Sequence, residues 1–101
     1  MNTEVQGWID ELNALYARGR ADDYQFVQAD ATLHQELYYK VVAAAVAESF
    51  PMTMVQTEKL DRYNILVDVY SRSGPQPYSA DNEVTVAQRE LMRSLGVDTR
   101  G

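Results

Sequence analysis

Residues 62–71, RYNILVDVYS, decide how this chain is read. Taken two at a time, Tyr63, Ile65, Val67 and Val69 share one face, and Asn64, Leu66, Asp68 and Tyr70 share the other. That is the pattern of a half-buried strand, and the β-branched residues suit a pleated surface. The preceding MTMVQTE, residues 52–58, also reads as a strand, with a turn at 59–61. The two runs together predict an antiparallel hairpin. One face of its second strand suits a core, while Leu66 and Tyr70 make the other unusually adhesive for a solvent face.

Working outward, YYKVVAAAVAESF at 38–50 belongs to a long apolar helix. Thr32 opens a T-L-H-Q capping box, and Pro51 is expected to stop the helix at Phe50. Leu37, Val41, Ala44 and Ala45 form one stripe, and Tyr38, Val42, Ala45 and Val46 form a second beside it. A helix apolar over so much of its circumference must be covered on two sides, so it is expected at the centre. An earlier helix, about 4–18, follows a T-E-V-Q box at Thr3 and carries Val5, Trp8, Ile9, Leu12 and Tyr16 at helical spacing. Residues 20–31, RADDYQFVQADA, form a connector that fits either an extended piece or a helical turn. SRSGPQPYSADN at 71–82 reads as an exposed loop, and Glu83 to Leu95 as a last helix closing at Gly96. The expected fold is therefore α+β: three helices, with the central apolar helix packed on a small antiparallel sheet of two or three strands. A two-stranded hairpin leaves both edges open, so the sheet is expected to continue across an interface, most simply in a homodimer.

Composition bounds the function. The 101 residues suit one domain, and 46% hydrophobic with 24% charged content is that of a folded globular chain. Without cysteine there is no disulfide framework, thiolate nucleophile or zinc ribbon, and a reducing cytoplasm is the expected location. The N-terminal stretch has no basic start followed by an apolar run, so no export signal is expected. The uncharged apolar run from Val41 to Ala47 is far shorter than the ~20 residues that span a bilayer. Fifteen carboxylates face nine cations, and residues 1–30 hold Glu4, Asp10, Glu11, Asp22, Asp23 and Asp30 against Arg18 and Arg20. Direct nucleic-acid binding needs clustered cations, so the expected partner is another protein with a basic surface.

The candidate chemical groups are few. His34 lies four residues after Asp30, the start of a two-ligand metal site that lacks an evident third ligand. Asp22 and Asp23, with Asp30 nearby, match neither a calcium loop nor a spaced acid–base pair and suit a turn. Ser71, Ser73 and Ser79 have no nucleophile elbow, and the five glycines form no phosphate cradle. Glu36 and Lys40 read as a surface helix pair, and Arg89 with Arg93 as a small basic patch or a solvated face. No cofactor is implied.

ALYARGRADDYQFVQADATLH, residues 14–34, resembles the opening of NTF2-like, ketosteroid-isomerase-type domains, although the alanine-rich helix after it departs from that family's strand-rich body. VAQRELMRSLGVD resembles the first helix of a helix-turn-helix unit, with no room after it for a recognition helix. Neither assigns a family.

Seven tyrosines against two phenylalanines favour an interface, because tyrosine gives contact area with a polar tip. The expected function is a small acidic non-catalytic binding domain that blocks a basic, nucleic-acid-binding surface of another protein, as immunity proteins, antitoxins or phage-encoded anti-defence proteins do. Its contact residues would be Asp10, Glu11, Asp22, Asp23, Tyr24, Phe26, Asp30, Tyr38, Leu66 and Tyr70. The alternatives are an assembly or adaptor subunit self-associating through Tyr63, Leu66 and Tyr70, and a small ligand-binding domain or enzyme around His34. Salt-sensitive capture of a partner, the oligomeric state and His34→Ala activity distinguish the three.

Overall fold

Thr53 settles the architecture. Its hydroxyl accepts from the Gln56 amide at 3.1 Å while its own amide donates to the Gln56 side chain at 2.9 Å, a reciprocal capping box. From it one helix runs unbroken through both expected strands and the turn between them. The structure, a computed structural model, describes residues 2–73 and 82–99. It contains α1 (Thr3–Gly19), α2 (Gln28–Val46), α3 (Met54–Arg72) and α4 (Glu83–Ser94), and among the described residues no strand. The expected α+β fold with its antiparallel sheet is thus wrong, and so is the open sheet edge on which the expected homodimer rested. Most of the expected loop at 71–82, Ser79 included, lies outside the described residues.

The error has a physical source. On a helix, Tyr63 and Tyr70 turn toward α4, where the Tyr63 hydroxyl accepts from Gln88 at 3.2 Å and the Tyr70 hydroxyl donates to Glu83 at 3.2 Å. Ile65 and Val69 lie on the opposite face, in solvent. Two apolar faces, sampled at 100° per residue, interleave along the sequence and imitate period two. Met54–Arg72 also contains neither glycine nor proline, so nothing in it breaks a helix.

The first two helices pair antiparallel, and so do the last two. Arg18 meets Asp30, Tyr16 meets His34, and Lys40 lies over the Trp8 ring, each step moving oppositely along α1 and α2. Likewise Tyr70 meets Glu83, Tyr63 meets Gln88, and Lys59 meets Glu90 along α3 and α4. Helix α2 packs against all three others. The core is one cluster of Val5, Ile9 and Leu12 from α1, Leu37, Val41, Val42 and Ala45 from α2, Leu60 from α3, and Leu91 and Met92 from α4. Phe50 closes it from the α2–α3 connection, and Leu95 and Val97 from the segment after α4. The C-terminal tail is held on α1 by Asn13, which donates to the Gly96 carbonyl at 2.9 Å and accepts from the Asp98 amide at 2.7 Å.

Helix ends differ from expectation in informative ways. Asn2, not Thr3, caps α1, its side chain accepting from the Val5 amide at 2.8 Å. Helix α2 starts at Gln28, four residues before the expected Thr32 box, behind Val27, which offers no side-chain cap. It ends at Val46 rather than Phe50. Glu48 takes a left-handed conformation at φ 51°, and Ser49 and Glu48 donate back to Ala44 and Ala45. This is the bond pattern of a Schellman motif, so the stop precedes Pro51.

Candidate functional site

The α1–α2 connection brings aromatic and ionisable side chains together beside α2. Tyr16, from the last turns of α1, contacts His34 through a 2.8 Å bond between its hydroxyl and Nε2, with the rings edge to face at 5.1 Å. One turn along α2, Tyr38 stacks on His34 at 5.8 Å, and the Tyr39 ring stands nearly perpendicular to Tyr38 at 6.1 Å. Burial lowers the His34 pKa and so favours the neutral ring, whose tautomer sets which of Nε2 and the Tyr16 hydroxyl donates in their bond. Burial also raises Tyr16, with Asp98 adding and Arg89 opposing. Tyr38 is pushed up to about 12, mainly by burial, so both phenols stay protonated across the physiological range.

Three hollows run together here. A small one of about 140 Å³ lies among Leu15, Tyr16, Tyr24, Asp30, Ala31 and His34. A shallow one extends from Tyr24 and Asp30 to Arg18, Asp23 and Val27 on the connection. A groove of about 430 Å³ continues from Ala31 and His34 between α2 and α4, past Gln35, Tyr38, Tyr39, Thr85, Gln88 and Arg89. The furrow is thus tyrosine-rich, acidic at the connection and basic at α4.

Of the residues expected to bind a partner, Asp23, Tyr24, Asp30 and Tyr38 meet along this furrow. Phe26 stands out from the connection, 71% exposed, beside exposed Asp22. Asp10 and Glu11 occupy the solvent face of α1, roughly 14 Å along the axis from Gly19. The expected acidic residues therefore fall into two groups, one on α1 and one on the connection. Asp30 is less free than expected, bound to Arg18 at 2.7 Å. Leu66 and Tyr70 lie elsewhere, at the seam of α3 and α4, Leu66 lining a hollow with Glu58, Ile65 and Glu90. Among the described residues no three metal-ligating side chains converge; Asp30 turns to Arg18 and His34 to Tyr16. Lys40 lies over Trp8 rather than pairing with Glu36, and Arg93 donates to the Thr99 hydroxyl at 2.8 Å.

Tyr16, Gln35, Tyr39, Thr85 and Gln88 were not singled out as site residues from the sequence, and Arg89 only as half of a basic pair with Arg93. The i, i+4 spacing of His34 and Tyr38 was a usable signal within α2; the approach of α4 carried none. Comparison of the chain with protein-family models, with curated proteins and with solved structures finds no match.

Proposed function

We propose that this chain is a non-catalytic protein-binding module that covers a basic surface of a partner protein in the cytoplasm, with the α1–α2 connection as its leading contact. One observation carries the reading. The two cations of the first 30 residues are occupied internally, Arg18 by Asp30 and Arg20 by Asp98 at 3.0 Å. Among the described residues Glu4, Asp10, Glu11, Asp22 and Asp23 make no ion pair, and Asp22 and Asp23 share the connection with an exposed Phe26 and half-buried Tyr24. An exposed aromatic on an acidic connection suits a cationic partner, with charge steering encounter and the ring supplying contact energy. The span from Asp10 to Asp22 fits one face of a standard interface of ~800 Å² per partner.

The test is capture from native lysate at low and high salt, with three variants. The reading expects a stoichiometric partner released by salt, lost with Asp22→Lys/Asp23→Lys, weakened about tenfold or more by Phe26→Ala, and retained by Glu36→Lys on α2. Capture indifferent to salt and to the loop reversal sinks it.

A second reading, self-association, is favoured by the outer face of α3. Met54, Val55, Ile65 and Val69 are exposed there, Met54 at 87% and Ile65 at 63%. Glu58 and Arg62, on the same face, pair with no described residue. An antiparallel second copy crossing near residue 60 would set Val55 against Ile65 and Glu58 against Arg62, twice by symmetry. The contact surface is then this stripe, not the Leu66 and Tyr70 edge expected from the sequence. Sedimentation of wild type and Ile65→Lys/Val69→Lys decides it: a dimer lost in the variant supports the reading, and a wild-type monomer at high concentration removes it.

A further inference from the structure

Arginines in this chain generally find partners. Arg18 and Arg20 hold Asp30 and Asp98, Arg72 holds Asp68 at 3.1 Å, and Arg93 holds Thr99. Among the described residues Arg62 and Arg89 make neither hydrogen bond nor ion pair. Arg62 is exposed on α3, where water serves it. Arg89 is half-buried in the wall of the α2–α4 groove, and no carboxylate lines that groove with it. None of its nitrogens is buried without a partner, so solvent reaches the guanidinium, whose planar fork of N–H donors matches a carboxylate two bonds at a time.

From this we infer that the α2–α4 groove is a binding site for a small organic monocarboxylate with a flat apolar body. Arg89 takes the carboxylate, and Thr85 and Gln35, whose side chains hydrogen-bond to no described residue, stand beside it as further donors. Tyr38 and Tyr39 line the same groove, and Tyr38 lies near enough to feel the Arg89 charge. Their rings meet at 89°, so a planar group lies on one face while meeting the edge of the other ring. The volume of about 430 Å³ is that of a small-ligand cleft. Charge sets the class: Arg89 is the one full cation in the lining, because burial keeps His34 neutral near pH 7. A single negative charge is matched, whereas a phosphate dianion lacks a second counter-charge. The site is independent of the proposed protein contact at Asp22 to Phe26, and either can fail without the other.

The experiment titrates the isotopically labelled full chain with benzoate and phenylacetate, and with their neutral counterparts benzamide and phenylacetamide, read by amide and arginine side-chain NMR shifts. At least one acid should saturate in the millimolar range, with shifts centred on Tyr39, Thr85 and Arg89. Its amide should bind about tenfold more weakly. Arg89→Gln should erase the preference of acid over amide, Arg62→Gln should keep it, and Arg89→Lys, which retains charge without the fork, should fall between. The acid–amide comparison needs no variant, so it stands even if Arg89→Gln folds poorly. No saturable shift with either acid, equal binding of acid and amide, shifts away from the groove, or a preference that survives Arg89→Gln in a folded protein overturns the assignment.

Discussion

Helices α3 and α4 lie against each other, yet they stand in opposite relation to the core. The 12 residues of α4 bury Ala87, Leu91 and Met92, and Leu95 and Val97 follow them inward. The 19 residues of α3 bury Leu60 alone, while Met54, Val55, Ile65, Val67 and Val69 stay exposed. Where a helix keeps its apolar residues to one stripe, burial and period agree. Where apolar residues occupy two faces, the period blurs and part of the apolar surface is left for something else. The same feature of α3 therefore produced the false strands and the exposed stripe.

The comparison breaks most visibly under truncation. Leu91→Ala, at a fully buried position among Leu60, Met92 and the residues of α1 and α2, should cost about 2–5 kcal/mol. Urea melts followed by circular dichroism measure it. If Leu91→Ala costs under about 1 kcal/mol, α4 is not the anchored helix described here.

The helix ends sharpen the contrast at a smaller scale. Helix α4 stops on Gly96 at φ 99°, with Gly96 and Val97 donating to Arg93 and Met92 and Val97 buried behind the turn. A Cβ at Gly96 would meet only Ile9 Cγ2 at 4.0 Å, so space is not the obstacle. Gly96→Ala should still cost about 1–2 kcal/mol from left-handed strain. Helix α3 ends on Ser73 in a right-handed conformation, its amide donating to Tyr70. Ser73→Ala should change stability by less than about 0.5 kcal/mol. Equal costs at the two ends would show that the left-handed turn at Gly96 carries no strain for alanine.

Legibility followed the same division. Helix α4 was readable because Val84, Ala87, Leu91 and Leu95 fall on one side and glycine ends the run; the α1 stripe of Val5, Ile9 and Leu12 was readable for the same reason. The start of α2 was not, since Val27 bears no cap signal and the T-L-H-Q at Thr32 mimics one. For α3 the decisive residues were present but outweighed: Thr53 and Gln56 spell a third capping box, hidden inside an apparent strand of Met, Val and Thr. The candidate site was half legible. Asp22, Tyr24 and Phe26 stand out by type, whereas the Arg89 groove exists only because α4 approaches α2, a tertiary fact with no local signal. Thr53→Ala tests the missed cue. It should cost about 1 kcal/mol, and because Gln56 also donates to the Ser94 carbonyl at 3.0 Å, Thr53→Ala and Gln56→Ala should be non-additive in a double-mutant cycle. A neutral Thr53→Ala would remove the cap as the reason for helix over strand.

The smallest expected effect is the most discriminating. Ile65→Ser on the outer stripe of α3 removes a side chain that, in a single copy of the chain, is 63% in water. Its stability cost should be within about 0.5 kcal/mol, the range of ordinary surface substitutions, including the slight propensity difference between Ile and Ser. A protein that dimerises through α3 behaves otherwise. There the same change strips apolar area from a symmetric contact twice, and the midpoint of unfolding depends on protein concentration before the mutation and less after it. Measuring Ile65→Ser at two concentrations therefore separates an exposed face from a covered one. Two superimposable melts with a small shift leave α3 bare, and a large, concentration-dependent loss means that the residues withheld from the core are buried by a second copy.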